Sequence, residues 1–258
     1  MLIQVHRQRP EPWAKQRSGL RYSWAIPFLA VEFVWEWVAY LLGNWNFLEV
    51  LEYLGRFSIL IAVIFYFYES GDRIKQKHYQ AWQVVNTAQG KGGNGGRIEA
   101  LQELNVDGVP LVGVNVSGAF LQGIQMQHAR LLRSDFTKAD VRNSDFQSAD
   151  FADATLTSAN FRNSILSKAS FPRAQLDDAD FSGADLSGAD FSDANLGNAD
   201  LRNTNLAGIR WQSIRNLRLA NIYGVKNAPE GFLSWARQQG AVSIESDDKW
   251  LFLVQHTH

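Results

Sequence analysis

Carboxylate side chains recur through the middle of this chain, and carboxylates at short spacing serve both general acid–base catalysis and divalent-metal binding. Here they repeat at intervals of twenty residues instead of forming one cluster. One such series is Asp140, Asp180 and Asp200, with Asn160 at the intervening position. Residues 114–206 contain a single histidine, His128, and the whole chain contains no cysteine, so neither a histidine-dependent nucleophile nor a conventional zinc site is supported. We therefore expect a non-enzymatic protein with no catalytic residue, no metal site and no cofactor.

The acids belong to a repeat in which every fifth residue, from about Val114 to Leu206, is large and apolar. From residue 151 these positions alternate strictly: Phe151, Leu156, Phe161, Leu166, Phe171, Leu176, Phe181, Leu186, Phe191 and Leu196. Two residues before each lies a small residue, in most units Ala, and the residue between is commonly Asp or Asn. A period of five matches neither a helix nor a strand, so the pattern indicates a solenoid of stacked coils.

The repeat resembles the pentapeptide-repeat family, whose unit is A-(D/N)-(L/F)-x-x. The resemblance implies a right-handed, quadrilateral β-helix with one repeat per side, in which the central Leu or Phe and the preceding Ala point inward. With four sides, the ten-residue Phe period puts the column Phe151/Phe171/Phe191 opposite the column Phe161/Phe181. Roughly five coils would form a rod about 25 Å tall at the ~4.8 Å spacing of stacked β-structure. The predicted fold class is mainly β, with an N-terminal transmembrane α-helical hairpin and short α-helical caps.

Two apolar stretches of about 20 residues, 24–42 and 47–68, precede the repeat, and each is long enough to cross a ~30 Å hydrocarbon core. Basic residues lie before the first stretch and after the second, with none in the turn between them. The positive-inside rule therefore puts both ends in the cytoplasm. We predict a transmembrane helical hairpin over residues 22–71 that contacts the membrane through residues 24–68. A basic segment, residues 1–21, precedes it.

Charged side chains inside the hairpin would raise its free energy in a bilayer unless they are paired. An antiparallel hairpin that turns near Asn46 puts residue 36 opposite residue 56, so we expect Glu36 to pair with Arg56. Glu32, one turn away, has no partner in this chain; we interpret it as protonated or in contact with a neighbouring subunit of a homo-oligomer. Two readings stay open: an ion or proton relay, which two helices alone would not line, and a hairpin that lies in the interface instead of spanning it.

The remaining segments follow from composition and periodicity. We predict an extramembrane helix at 72–89, a flexible Gly-rich linker at 90–96 that gives the rod reach, and a capping helix at 97–108. The β-helix covers 109–222, and 223–258 form a C-terminal cap, with one helix from about Asn227 to Gln239, and a tail. The linker lacks the residue order of a phosphate-binding loop, so nucleotide binding is not expected.

One wall of the predicted rod carries short side chains around an outward-pointing Ile165. We call this set the docking wall: Ile165, Ser167, Ser187, Gly188, Ala207 and Gly208. A flat surface of small side chains lets another protein approach closely, so we expect a protein partner, of unknown identity, to bind there. Nothing in the charge pattern predicts a nucleic-acid partner, because the formal net charge of the chain is −1.

These features predict a membrane-anchored interaction or scaffold protein with its repeat domain and both termini in the cytoplasm. The layout resembles anchored pentapeptide-repeat proteins that are abundant in photosynthetic prokaryotes, which implies a plasma or thylakoid membrane. A second hypothesis comes from relatives that mimic duplex DNA and bind gyrase; residues 109–206 carry 12 Asp against eight Lys plus Arg, a mild net charge of −4. A third is an accessory subunit of a membrane transporter, which would explain Glu32.

Overall fold

The computed structural model describes residues 8–18, 26–43, 47–87 and 95–256. The predicted turn at 44–46 and most of the predicted linker lie outside these ranges. The chain divides into two compact units, Met1–Arg73 and Ile74–His258, and each is described by itself.

The first unit is helical and exposes most of its apolar surface. It contains α1 (Trp13–Ser18), α2 (Ile26–Gly43) and the first part of α3, which runs from Phe47 to Thr87. In α2, whose 18 residues are all described, none is buried. Within the described residues, α2 is the one helix that is long and apolar enough by itself to cross a membrane; a second span exists only if Tyr53–Tyr66 and Gly71–Thr87 are counted together.

The second unit contains the coiled repeat, and its register is twenty residues per turn. Parallel bridges join residues twenty apart from Asn115↔Asp135 to Asp190↔Arg210. Four five-residue repeats therefore make one coil, as the family resemblance implies. Each side contributes single bridging residues and not an extended strand. Beyond Arg210 the spacing becomes 21, as in Asn195↔Asn216, so one extra residue shifts the register of the last coil.

Each repeat forms one side of the coil and includes the turn to the next side. The unit at Phe151 shows the hydrogen bonds and the backbone conformation of this turn. Phe151 is buried, and its carbonyl accepts a hydrogen bond from the N–H of Ala154 at 3.1 Å. Asp153, at the third turn position, has φ +58°, the sign that a type II turn requires. Asp150 accepts a hydrogen bond from the N–H of Ala152 at 3.0 Å. The Asp or Asn of the repeat is therefore a turn-capping residue, which explains its recurrence without a catalytic site.

The core of the rod contains the two phenylalanine columns that the sequence predicts. Phe171 stacks between Phe151 and Phe191 with ring centroids 5.2 Å apart on both sides. Phe161 and Phe181 stack at the same distance in the other column. Across the core, Phe151 and Phe161 meet edge to face at 6.1 Å. Such contacts stabilise the interior beyond the burial of apolar area.

Helices cover both ends of the coil. α4 (Arg97–Val106) lies within the segment 97–108 that we predicted as a capping helix, and it buries Ala100, Leu101 and Leu104. At the other end the predicted helix from Asn227 is shorter than expected, because α5 spans Phe232–Gln238. A further helix, α6 (Asp247–His256), lies in the part of the predicted cap and tail where we expected no helix.

The last part of α3 packs on the rod, and this corrects the expected role of the linker. Ala81 and Val85 are buried in the same apolar core as the repeat residues. Lys77 pairs with Glu103 at 2.7 Å, and Nε2 of His78 lies 2.9 Å from Oδ2 of Asp107. The segments on both sides of the linker thus belong to one compact unit. The linker joins two parts of that unit and does not give the rod reach.

Candidate functional site

One side of the rod meets α6 and leaves a groove between them. Its turns carry Arg142, Arg162 and Arg202, which the coil places twenty or forty residues apart on the same side. We call this the arginine side, and the space of about 240 Å³ that it encloses with α6 the α6 groove. The charged lining consists of Arg162, Arg202, Asp178, Asp180, Asp200 and Asp247. Trp250, Leu251 and Val254 of α6 form an apolar wall.

Arg202 holds α6 on the rod. Its Nε donates to Oδ1 of Asp200 at 2.8 Å, and the guanidinium also forms an ion pair with Asp247. The same guanidinium lies 5.4 Å from the ring centre of Trp250. The hydrogen bond to Asp200 is the main reason that the pKa of Arg202 is raised, so the arginine stays charged. Because its side chain is only 11% exposed, Arg202 is a structural residue and is not open to a ligand.

Trp250 supplies the second attachment of α6. Its indole Nε1–H donates to the carbonyl of Leu219 at 2.9 Å, and the residue is buried. A buried indole usually finds such a partner, since leaving its N–H unpaired would cost stability. α6 is therefore fixed by both a charge pair and a buried aromatic anchor.

The acids of the α6 groove differ in how far their hydrogen-bonding capacity is used. Asp180 accepts from Arg162 at 2.9 Å and from the N–H of Ser182 at 2.9 Å. The exposed Asp178 accepts from Nδ2 of Asn198 at 3.1 Å through one oxygen. With four aspartates against two arginines in the lining, the groove has a formal charge of −2. It is therefore suited to a positively charged group attached to an apolar stem.

The docking wall also has a defined position. Bridges Ile165↔Asp185 and Asp185↔Asn205 put its residues on one side of successive coils. Ile165 is 44% exposed. Lys168 projects from the same side and was not among the residues predicted for this wall. Its side chain lies beside Gly188, because a Cβ at position 188 would be 3.4 Å from the Cγ of Lys168. The wall therefore combines short side chains with one exposed apolar and one cationic residue.

Arginines neutralise part of the most acidic side of the rod, which carries Asp150, Asp153, Asp190 and Asp193. Arg173 pairs with Asp153 at 2.6 Å, one coil away, and Arg210 pairs with Asp190 at 3.1 Å. The hydrogen bond from Arg173 lowers the pKa of Asp153 below its ordinary value. The twenty-residue register brings these partners together. Fewer aspartates on this side of the rod are therefore unpaired than the number of aspartates in the sequence suggests.

The predicted intramembrane residues lie in the first unit. Glu36 accepts a hydrogen bond from Nε2 of Gln16 at 2.9 Å, and Glu32 and Arg56 are exposed. The pairing of Glu36 with Arg56, and the interpretation of Glu32, stay predictions. Within the described residues, no group of three or more His, Cys, Asp or Glu is arranged to hold a metal ion.

The coil is recognised by a family model. The model for pentapeptide repeats matches residues 111–147, 144–183 and 184–208, with 8 copies. No curated protein matches the chain.

The solved structures that are similar to this chain include three that are described here. HetL, a pentapeptide-repeat protein involved in heterocyst differentiation regulation in the cyanobacterium Nostoc, is 28% identical over 47% of this chain and 56% of HetL, with a TM-score of 0.30. The pentapeptide-repeat protein Rfr23 from the cyanobacterium Cyanothece is 26% identical over 41% of this chain and 60% of Rfr23, with a TM-score of 0.25. QnrB1, a plasmid-mediated fluoroquinolone resistance protein, is 17% identical over 57% of this chain and 84% of QnrB1, with a TM-score of 0.35. These TM-scores are low, so the likenesses carry no argument about function.

Proposed function

Because the chain belongs to the pentapeptide-repeat family, we propose that it is a membrane-anchored, non-enzymatic interaction protein whose rigid rod contacts a protein partner. The observation that carries the proposal is the combination of an exposed apolar helix with a fully packed rod. α2 has a mean hydropathy of 1.4 over 18 residues and no buried residue. Exposed apolar surface of this extent marks a membrane or protein interface.

The membrane contact extends from α2 into the first part of α3 (residues 24–68). The side chains of Phe28 and Ile59 are 70% and 69% exposed, respectively. The basic residues that flank the span favour a cytoplasmic rod and cytoplasmic termini, in a plasma or thylakoid membrane. On this reading Glu36 and Arg56 pair inside the hairpin, and Glu32 contacts a second copy of the chain or a membrane partner.

The docking wall is the surface that we assign to the partner of the rod. Ile165 gives it an apolar centre, and the short side chains of Ser167, Ser187 and Ala207 leave it flat. Hydrogen bonds between successive coils already hold the backbone beneath this wall. Binding of a partner would therefore cost little conformational entropy in the rod.

A DNA-mimic function is less well supported. Duplex DNA carries one charge per ~1.7 Å of its axis, so a rod about 25 Å tall would need roughly 15 negative charges to reproduce it. The net charge of −4 over residues 109–206 falls far short, and Arg173 and Arg210 neutralise acids on the wall where they are densest. A gyrase supercoiling assay tests this alternative directly, and inhibition at stoichiometric protein would support it.

The anchor is tested by alkaline extraction of membranes from cells that produce the full-length chain. We expect the protein to stay in the membrane pellet, and Phe28→Glu combined with Trp35→Glu to release it, because charges inside a bilayer are costly. Leu233→Glu, an exposed apolar residue of the rod cap, is the matched control and should stay in the pellet. A wild-type protein that is extracted into the soluble fraction would refute the anchor. A transporter among the proteins that co-purify would favour the accessory-subunit reading.

A further inference from the structure

We propose that the α6 groove binds an arginine or lysine side chain of a protein partner, so that the arginine side is a second contact surface besides the docking wall. This inference rests on the proposed interaction function and names the chemistry of the partner. Its basis is a groove of about 240 Å³ between the rod and the C-terminal helix, lined by six charged and three apolar residues and one asparagine.

The charge of the groove selects a cation. Both arginines in its lining are already paired, Arg162 with Asp180 at 2.9 Å and Arg202 with Asp200 and Asp247. The acids outnumber them by two. Asp178 is exposed, and Oδ1 accepts from the neutral amide of Asn198 at 3.1 Å, so its carboxylate keeps room for a charged donor. An anion entering the groove would meet a net negative charge, whereas a cation would complement it.

The apolar wall selects a cation on a long aliphatic stem. Leu251 and Val254 line the groove opposite the acids, and Leu251 is 48% exposed. Lysine and arginine pack their methylene groups along such surfaces while the charged head reaches polar partners. A small inorganic cation would leave this apolar wall uncovered.

The size of the groove points to a side chain and not to a free cofactor. Sites for small organic ligands commonly measure about 300–1,000 Å³, so this groove is smaller than the usual range. One extended side chain reaches into such a space while the rest of its peptide lies across the open mouth. The neighbouring turns on the arginine side, with exposed Asn163 and Asn203, would then contact the peptide backbone.

The proposal is tested by fluorescence anisotropy with the full-length chain in a non-ionic detergent. The probe is a dye-labelled peptide, acetyl-Leu-Arg-Leu, and the matched probe replaces Arg with neutral citrulline, which has almost the same shape. We expect the citrulline peptide to bind about fivefold more weakly, the upper end for a partly exposed ion pair. Asp178→Asn should weaken binding of the arginine peptide by a similar factor and remove much of the preference over citrulline.

Two arginine substitutions on α6 provide a matched pair. Leu251→Arg places a positive charge in the lining and should reduce binding of the arginine peptide at least about fivefold. Phe252→Arg adds the same charge at the next residue, which is 63% exposed and not part of the lining, and should leave binding unchanged. Far-ultraviolet circular dichroism checks that both variants keep their fold.

The outcomes separate this proposal from the proposed function. Equal binding of the two peptides, no binding of either, or equal losses from Leu251→Arg and Phe252→Arg would overturn the groove assignment. If the chain nevertheless stays in the alkaline membrane pellet, the anchored-rod function stands without the groove. If the peptides discriminate as expected but the chain is extracted, the groove stands and the membrane anchor is wrong.

Discussion

Replacing Phe171 by alanine tests whether the stacked phenylalanine column supports the rod. Phe171 is fully buried and lies between Phe151 and Phe191, with ring centroids 5.2 Å away on both sides. The substitution removes both ring contacts and leaves a cavity in the middle of the coil. Neighbouring side chains cannot close it easily, because hydrogen bonds between successive coils fix the backbone positions.

The magnitude follows from this burial. Buried Phe→Ala substitutions cost about 3–5 kcal/mol, so local opening of this part of the rod should become about 140- to 4,000-fold more frequent. Because each coil of a solenoid contacts only its neighbours, the effect should be largest for residues 151–191 and should decline towards the α4 cap.

Hydrogen–deuterium exchange measures this local opening directly. The amides of Phe171 and Arg173 donate to carbonyls of the next coil at 2.8 and 2.9 Å, and they should lose protection in the variant. Ile165→Ala, which shortens an exposed side chain, is the control and should change protection about twofold at most. A loss below about tenfold for Phe171→Ala would refute the reasoning, because the column would then contribute little to stability.

Two further predictions concern single polar groups of the rod unit. The Oγ of Ser134 is buried without a hydrogen-bond partner among the described residues, so Ser134→Ala should leave the free energy of unfolding unchanged or raise it by up to about 1 kcal/mol. Ser164→Ala removes a hydrogen bond to a backbone carbonyl at 2.8 Å and should lower it by about 1 kcal/mol; urea titration that gave the reverse order would contradict this account. The hydrogen bond from His78, with Lys77 nearby, holds the pKa of Asp107 below its ordinary value of 3.8, so its contribution to stability is present above that value and is lost as the pH falls through the lowered pKa. Asp107→Asn should therefore lower the melting temperature more near about pH 5.5 than near about pH 2.5; an equal effect at both pH values would exclude an ionic contribution.

The repeat was predictable because the residues that determine its register recur at regular spacing along the sequence. A five-residue period with strict Phe/Leu alternation determines which side chains stack, and the observed Phe151–Phe171 and Phe161–Phe181 contacts follow directly. The recurring Asp or Asn was also visible, although its role as a turn cap becomes clear only from the bond between Asp150 and Ala152.

The helices at the ends were less predictable, since their stability comes from distant residues. α6 has only 10 residues, too few to form an independent helix, and it depends on Arg202, which lies 45 residues before Asp247. The helix predicted at 72–89 was visible from its periodicity, but its packing through Val85 on the apolar core of the rod depends on residues far along the chain. The α6 groove was missed for the same reason, because it exists only where these separate segments meet.

Photo-cross-linking in intact membranes tests most directly whether the anchored rod binds its partner through the docking wall. A photoreactive phenylalanine analogue would replace Ile165 on the docking wall or, as the control, Thr155, which is also exposed and occupies the same repeat position two sides away. We predict a cross-linked protein adduct in the membrane fraction with the probe at residue 165 and none with the probe at residue 155. The same adduct from both positions, no adduct from either, or a chain that fractionates with soluble proteins would contradict the proposal of an anchored rod that binds its partner through this wall.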